Sequence, residues 1–198
     1  MLQKLTKVYI ISMKDFLMDP IFVTSNMNKV REAGRILGLE IKHRAISLEE
    51  IQSMNAKEVA MGKARAAYAE LGRPVIVEDT GLHIKGLRGF PGALVKWVIE
   101  GMGYERMCRV VDLCKSREAY AETCVAYYDG KRMRTFTGRI HGSISNMPRG
   151  SGNFGWDCIF IPKEFNKTFA EMSTSEKNSM SMRRKAFAKL GRFMASKG

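Results

Sequence analysis

Short apolar runs alternate along the chain with stretches in which apolar residues recur every three or four positions, and the two periods separate strands from helices. Ile21, Phe22 and Val23 read as a buried strand; Val30, Ala33 and Leu37 follow at helical spacing until Gly38 stops the helix. Residues 56–71, AKEVAMGKARAAYAEL, predict a strong alanine-rich helix. Pro74 to Val77 predict a buried strand that ends in a glycine-containing turn at Glu78-Asp79-Thr80-Gly81. Tyr104, Met107, Val110, Val111 and Cys114 mark a further helix. Glu118 to Tyr128 and Arg132 to Ile144 predict two long strands joined at Asp129-Gly130, a strong hairpin signal. A last strand over Cys158 to Ile161 precedes a C-terminal helix that opens on the capping pattern Ser173-x-x-Glu176 and keeps Phe187, Leu190 and Met194 on one face. Helices before, between and after the strands predict an α/β protein with a mixed sheet.

With 198 residues, 45% of them hydrophobic, the chain can bury one sizeable core or two lobes sharing a cleft, but not two independent domains. The formal charge of +13 predicts attraction to polyanions, a class that includes nucleoside triphosphates, nucleic acids and acidic membranes. Cys108, Cys114, Cys124 and Cys158 lack C-x-x-C spacing and a histidine ladder, which argues for free thiols, no zinc site and a reducing, cytoplasmic setting. No run approaches the ~18 apolar residues of a membrane span. The apolar run Val8 to Ile11 is too short for a secretory signal and no small-residue cleavage site follows it. Residues 1–19 are therefore expected to be an extension, disordered or the product of an upstream start codon, ahead of a single domain over 20–198.

Candidate chemistry gathers where the elements end. A strand that runs through Thr24-Ser25-Asn26 into a helix carrying Lys29 in its first turn offers free N–H groups, the positive end of the helix dipole, two hydroxyls and an ammonium to a phosphate. The competing account is that Ser25 or Asn26 only caps the helix. Glu78 and Asp79, at a strand end, are hard oxygen ligands suited to Mg2+, with one of them facing the site because adjacent strand residues point to opposite faces. Glu58, in the first turn of its helix, is a third candidate ligand or else a solvated partner of the helix dipole. In Gly150-Ser151-Gly152-Asn153-Phe154-Gly155-Trp156-Asp157 the glycines admit a flat ligand, Phe154 and Trp156 offer stacking faces and Asp157 an acceptor, unless the segment is a bulge with core aromatics. Lys177 and Arg183 offer donors to phosphate or to a purine edge, or form a solvated basic face.

Taken in order, T-S-N-M-N-K at Thr24 to Lys29, E-D-T-G-L at Glu78 to Leu82, G-F-P-G at Gly89 to Gly92, F-G-W-D at Phe154 to Asp157 and A-E-M-x-x-x-E-K-N at Ala170 to Asn178 resemble the inosine triphosphate pyrophosphatase family, from Pro20 to about Leu190. The resemblance implies an elongated two-lobed α/β fold with a long central mixed sheet, a nucleotide cleft between the lobes, a homodimer, and magnesium-dependent hydrolysis of non-canonical purine nucleoside triphosphates to the monophosphate and pyrophosphate. It implies that Thr24, Ser25, Asn26 and Lys29 hold the triphosphate, that Glu58 and Glu78 assist the metal, and that Asp79 binds metal or activates the attacking water. Phe154, Gly155 and Trp156 would bracket the base, with Asp157, Lys177, Ser181 and Arg183 at its edge and Met182 supplying a soft apolar contact to it. The chain departs from the family at Met182, where relatives carry histidine, at Cys158, where they carry proline, and at Leu94, where they carry tyrosine. A Maf-like pyrophosphatase and a basic nucleic-acid-binding protein without turnover are the two other readings; nucleic acid is not expected as the specific partner.

Overall fold

A computed structural model of the chain describes residues 20–151 and 155–196. The expected extension over 1–19 lies outside the described residues, as does Phe154. The element order is β1 (Ile21–Val23), α1 (Met27–Leu37), β2 (His43–Arg44), α2 (Ala56–Leu71), β3 (Val75–Ile84), β4 (Pro91–Gly92), α3 (Val95–Asp112), β5 (Glu118–Tyr128), β6 (Met133–Ile144), β7 (Phe160–Pro162), α4 (Thr174–Met180) and α5 (Met182–Ala195). These make a mixed α/β fold around a seven-stranded sheet of order β2-β1-β3-β5-β6-β7, with β4 added to β3. β1 runs parallel to β2 and β3, whereas β3, β5, β6 and β7 pair antiparallel in turn.

The sheet takes its faces from strand alternation. On β3, Val75 and Val77 pack with Ala56, Ala60, Ala64 and Ala67 of α2, while Ile76 packs on the other face with Ala33 of α1 and Phe187 and Leu190 of α5. Farther along β3, Leu82 and Ile84 join a separate cluster with Met107, Trp156, Phe160, Phe169 and Met182. Glu78 lies between these two apolar clusters on the same face of the strand, and the start of α5 spans the same seam, with Met182 in one cluster and Ala186 in the other. Gly138 of β6 makes room for that helix start, since a Cβ there would meet the Met182 carbonyl oxygen at 2.0 Å.

Three elements differ from the sequence expectation. The strand expected to end at Val77 continues to Ile84, because β5 pairs with it residue by residue from Val75↔Tyr128 to Ile84↔Ala119. Gly81 is thus a strand residue rather than a turn; its missing side chain lets Gly92 and Ala93 approach, where a Cβ would come within 2.9 Å of backbone. The helix expected from Tyr104 begins earlier, at Val95, and is interrupted at Gly103, whose φ of 79° breaks the helical backbone. The single C-terminal helix is two: Ser173 caps α4, and Ser181, in an extended conformation, ends it and caps α5 by accepting from the Arg184 N–H.

β6 has a free edge over its first half, since β7 pairs only with Gly142 to Ile144. The carbonyls of Thr137 and Arg139 on this edge accept hydrogen bonds from the Lys189 and Lys185 ammoniums of α5.

Candidate functional site

The loop after β1 is organised by its own side chains. Thr24 Oγ1 accepts from the Asn26 N–H at 3.1 Å, and Asn26 Oδ1 accepts from the N–H groups of Asn28 at 3.0 Å and Lys29 at 3.3 Å. Asn26 is therefore the helix cap, occupying two of the donors that an anion could have used, and Ser25 remains exposed. The Lys29 ammonium reaches inward to Glu78 Oε1 at 2.9 Å.

Glu78 is buried beneath that loop. Arg183 Nε donates to both of its oxygens, at 3.1 and 2.9 Å, and Arg183 Nη2 to Oε1 at 2.9 Å. The remaining terminal nitrogen of Arg183 binds Glu32 Oε2 at 2.6 Å, and Ser181 Oγ reaches Glu32 Oε1 at 3.3 Å. Burial alone would raise the Glu78 pKa, but the Arg183 and Lys29 charges outweigh it and hold the carboxyl at about 2. Arg183, Glu78, Glu32 and Lys29 thus form a closed charged cluster joining β3, α1 and α5.

Asp79 points to the opposite face, toward α2. Its Oδ1 accepts from Lys63 Nζ at 3.4 Å, and Lys63 also contacts Glu50 at 2.8 Å. Its Oδ2 is buried with no hydrogen-bond partner. Burial dominates, and the Lys63 and Lys29 charges offset it only partly, so the Asp79 carboxyl is pushed up to about 6. A carboxylate half-secured by an ammonium, with its other oxygen unpaired among the described residues, has the capacity to accept a proton from water or bind a hard cation.

The expected metal set Glu58, Glu78 and Asp79 is not gathered at one point. Among the described residues no three acidic, histidine or cysteine side chains converge as a metal site. Strand alternation separates Glu78 from Asp79, and Glu58 is exposed, receiving Ser53 Oγ at 2.7 Å and Asn55 Nδ2 at 3.4 Å at the start of its own helix.

The residues expected around the base are also distributed differently. Asp157 and Lys177 form a close ion pair, and burial raises the Asp157 pKa while the Lys177 charge opposes it. Trp156 is buried edge-on against Phe160, so its ring belongs to the core, whereas Gly155 is exposed. Arg183 is committed to carboxylates rather than open to a purine edge. Met182 is 1% exposed and packs in the apolar cluster that contains Trp156. Met182→His is accordingly expected to lower stability by about 1–3 kcal/mol, by burying an imidazole among apolar groups, as measured by urea denaturation.

Lys63, Glu50 and Glu32 were not among the sequence candidates. Lys63 carries the clearest overlooked signal: it adjoins the stripe of buried alanines at 56, 60, 64 and 67 in α2, where a lysine needs a partner.

Comparisons with known proteins agree with this fold. The sequence profile of the Ham1 family matches residues 20–193. An inosine triphosphate pyrophosphatase of Kluyveromyces lactis is 41% identical over 188 residues, covering 90% of this chain and 96% of its own length. A dITP/XTP pyrophosphatase of Thermococcus kodakarensis is 40% identical, with 87% and 95% coverage. The solved structure of a HAM1 protein from Coxiella burnetii superposes with a TM-score of 0.79 at 26% identity, over 89% of this chain and 98% of the other.

Proposed function

Because the chain belongs to the Ham1 family, we propose that it is a nucleoside triphosphate pyrophosphohydrolase acting on inosine, deoxyinosine and xanthosine triphosphates, which it converts to the monophosphate and pyrophosphate. The observation that carries this reading is Asp79, a buried carboxylate with one unpartnered oxygen, within a chain matched to that family over residues 20–193. Asp79 Oδ2 accepts the proton of a water attacking the α-phosphorus, and the pyrophosphate leaves with the electron pair of the broken P–O bond. Lys63 holds the other oxygen of Asp79 and fixes its orientation. The capped α1 terminus with Lys29 bears on the phosphates, because charge neutralisation and an oriented water matter more in this reaction than a strong nucleophile.

The donor set fits magnesium in part. Asp79 Oδ2 is a free hard oxygen, and a magnesium ion commonly takes one or two protein carboxylates together with substrate phosphates and waters. Glu78 has its oxygens taken by Arg183 and Lys29, and Glu58 faces its own cap, so Asp79 is the residue that would hold the ion. Magnesium bound there supplies neutralisation of the triphosphate charge. A single two-lobed domain over residues 20–198, a homodimer and a cytoplasmic location complete the reading. The first two rest on family resemblance; the last rests on four unpaired cysteines and on the described helices, none long and apolar enough to cross a membrane.

The test is a turnover panel with magnesium, read by pyrophosphate release. Inosine, deoxyinosine and xanthosine triphosphates are expected to react at least about tenfold faster than adenosine triphosphate, whose C6 amino group would leave buried donors unpaired, with guanosine triphosphate run beside them as the second canonical purine. Equal rates on all five nucleotides, or no release, would overturn the proposal. The kcat/KM profile should rise as pH passes about 6, where Asp79 ionises. Lys63→Gln should move that limb to higher pH, because the ammonium lowers the Asp79 pKa.

A further inference from the structure

On the far side of α5 from the Arg183 cluster, a groove of about 580 Å³ runs between that helix and the free edge of β6. Its cations are Arg139 from the strand and Arg184, Lys185, Lys189 and Arg192 from the helix, and none of the described residues lining it is acidic. At 3.6 residues per turn, those four helix residues occupy the face opposite Arg183, Phe187, Leu190 and Met194, which are buried. The groove and the Asp79 site are therefore separate.

The four helix cations are not neutralised by any ion pair among the described residues. Lys185 and Lys189 donate to the neutral carbonyls of Arg139 and Thr137, and each ammonium keeps two further donors. Among the described residues Arg139 alone of the five is ion-paired, with Glu122, and its guanidinium lies 4.1 Å over the Tyr120 ring. Arg184 and Arg192 are exposed and eight residues apart, which places them about 12 Å apart along the helix axis. Measured along the duplex axis, where one strand advances about 3.4 Å per phosphate, that distance corresponds to three to four phosphates.

We propose that this groove binds the phosphate backbone of a nucleic acid, independently of sequence and of the hydrolytic site. The charge exceeds what one phosphate needs, which points to a chain of phosphates. With no aromatic side chain in the lining, the groove has no platform for stacking bases and contacts backbone alone. A membrane is the weaker fit, because the site is concave and, among the described residues lining it, Ala188 alone has an apolar side chain. A second copy of this chain is disfavoured by like charge.

The experiment follows the full-length protein by fluorescence anisotropy with a labelled 20-base-pair DNA duplex across a salt series, alongside pyrophosphate release from inosine triphosphate. Wild type is expected to bind with a steep salt dependence. The double variant R184Q/R192Q should bind at least tenfold more weakly at low salt, with a slope of log K against log salt reduced by about 1.8, and with turnover unchanged. K131Q/R132Q, which removes the same charge at the exposed β5–β6 turn, should keep most of the wild-type slope. The proposal is overturned if wild type does not bind, if the turn variant loses as much slope as the groove variant, if magnesium-free inosine triphosphate displaces the duplex, or if anionic phospholipid vesicles bind more tightly than DNA. The binding readouts, on which each overturning outcome rests, do not require hydrolysis, so the catalytic proposal stands or falls separately.

Discussion

Replacing Asp79 by asparagine is expected to reduce kcat by about 10²–10⁴-fold while making the folded protein more stable at neutral pH. The amide keeps the shape of the side chain but cannot take a proton from water. The stabilisation follows from proton binding. The folded protein retains the Asp79 proton up to about pH 6, whereas the unfolded chain releases it near 3.8, so between these values the native state binds more protons and stability falls as pH rises. Asparagine resembles the protonated form and escapes that loss, which amounts to about 1–3 kcal/mol at pH 7. Chemical denaturation of both proteins at pH 4 and pH 7 checks this: the gap should be small at pH 4 and open at pH 7. A variant that keeps near wild-type turnover at saturating magnesium would remove Asp79 from the mechanism.

Arg183→Met should have the largest effect on stability, a loss of about 3–5 kcal/mol at neutral pH, because it leaves Glu78 and Glu32 with Lys29 alone inside the fold. Glu78 is held at about 2 against an ordinary value of 4.5, so its pairing contributes stability that is fully present above pH 4.5 and disappears as pH falls toward 2. The difference between wild type and variant should therefore shrink on acidification, as measured by guanidinium denaturation across that range. Arg183→Lys should recover only part of it, since an ammonium cannot reproduce the paired contacts of the guanidinium with Glu78. An Arg183 that served only to read the base would leave stability untouched and alter nucleotide preference alone.

Local patterns carried the fold a long way. β1, the helix over residues 56–71 and the Asp129-Gly130 hairpin were legible because their apolar periods and turn residues are contiguous in the chain. The continuation of β3 past Asp79 was not, because Thr80-Gly81 resembles a turn until β5 pairs alongside it. The division of the C-terminal helix at Ser181, which ends α4 and caps α5, was not legible, because the apolar face at Phe187, Leu190 and Met194 follows the capping box at Ser173 without a glycine or proline between them. In the site, Glu78, Asp79, Lys29 and Arg183 were legible as chemistry, whereas their pairings were not. Lys63 meets Asp79 across 16 residues and Arg183 meets Glu32 across 151, and a charge on a helix has no local mark to tell a buried partner from a solvated one.

The position of Arg183 in α5 also sets an order of events during synthesis. The residues it neutralises, Glu78 and Glu32, leave the ribosome 105 and 151 residues earlier. Until α5 arrives, the emerging chain holds two carboxylates whose burial only Lys29 can offset, so the seam between the two apolar clusters stays open to water. The charged cluster beneath the β1–α1 loop is therefore completed only after nearly the whole chain has been translated and its last helix has docked.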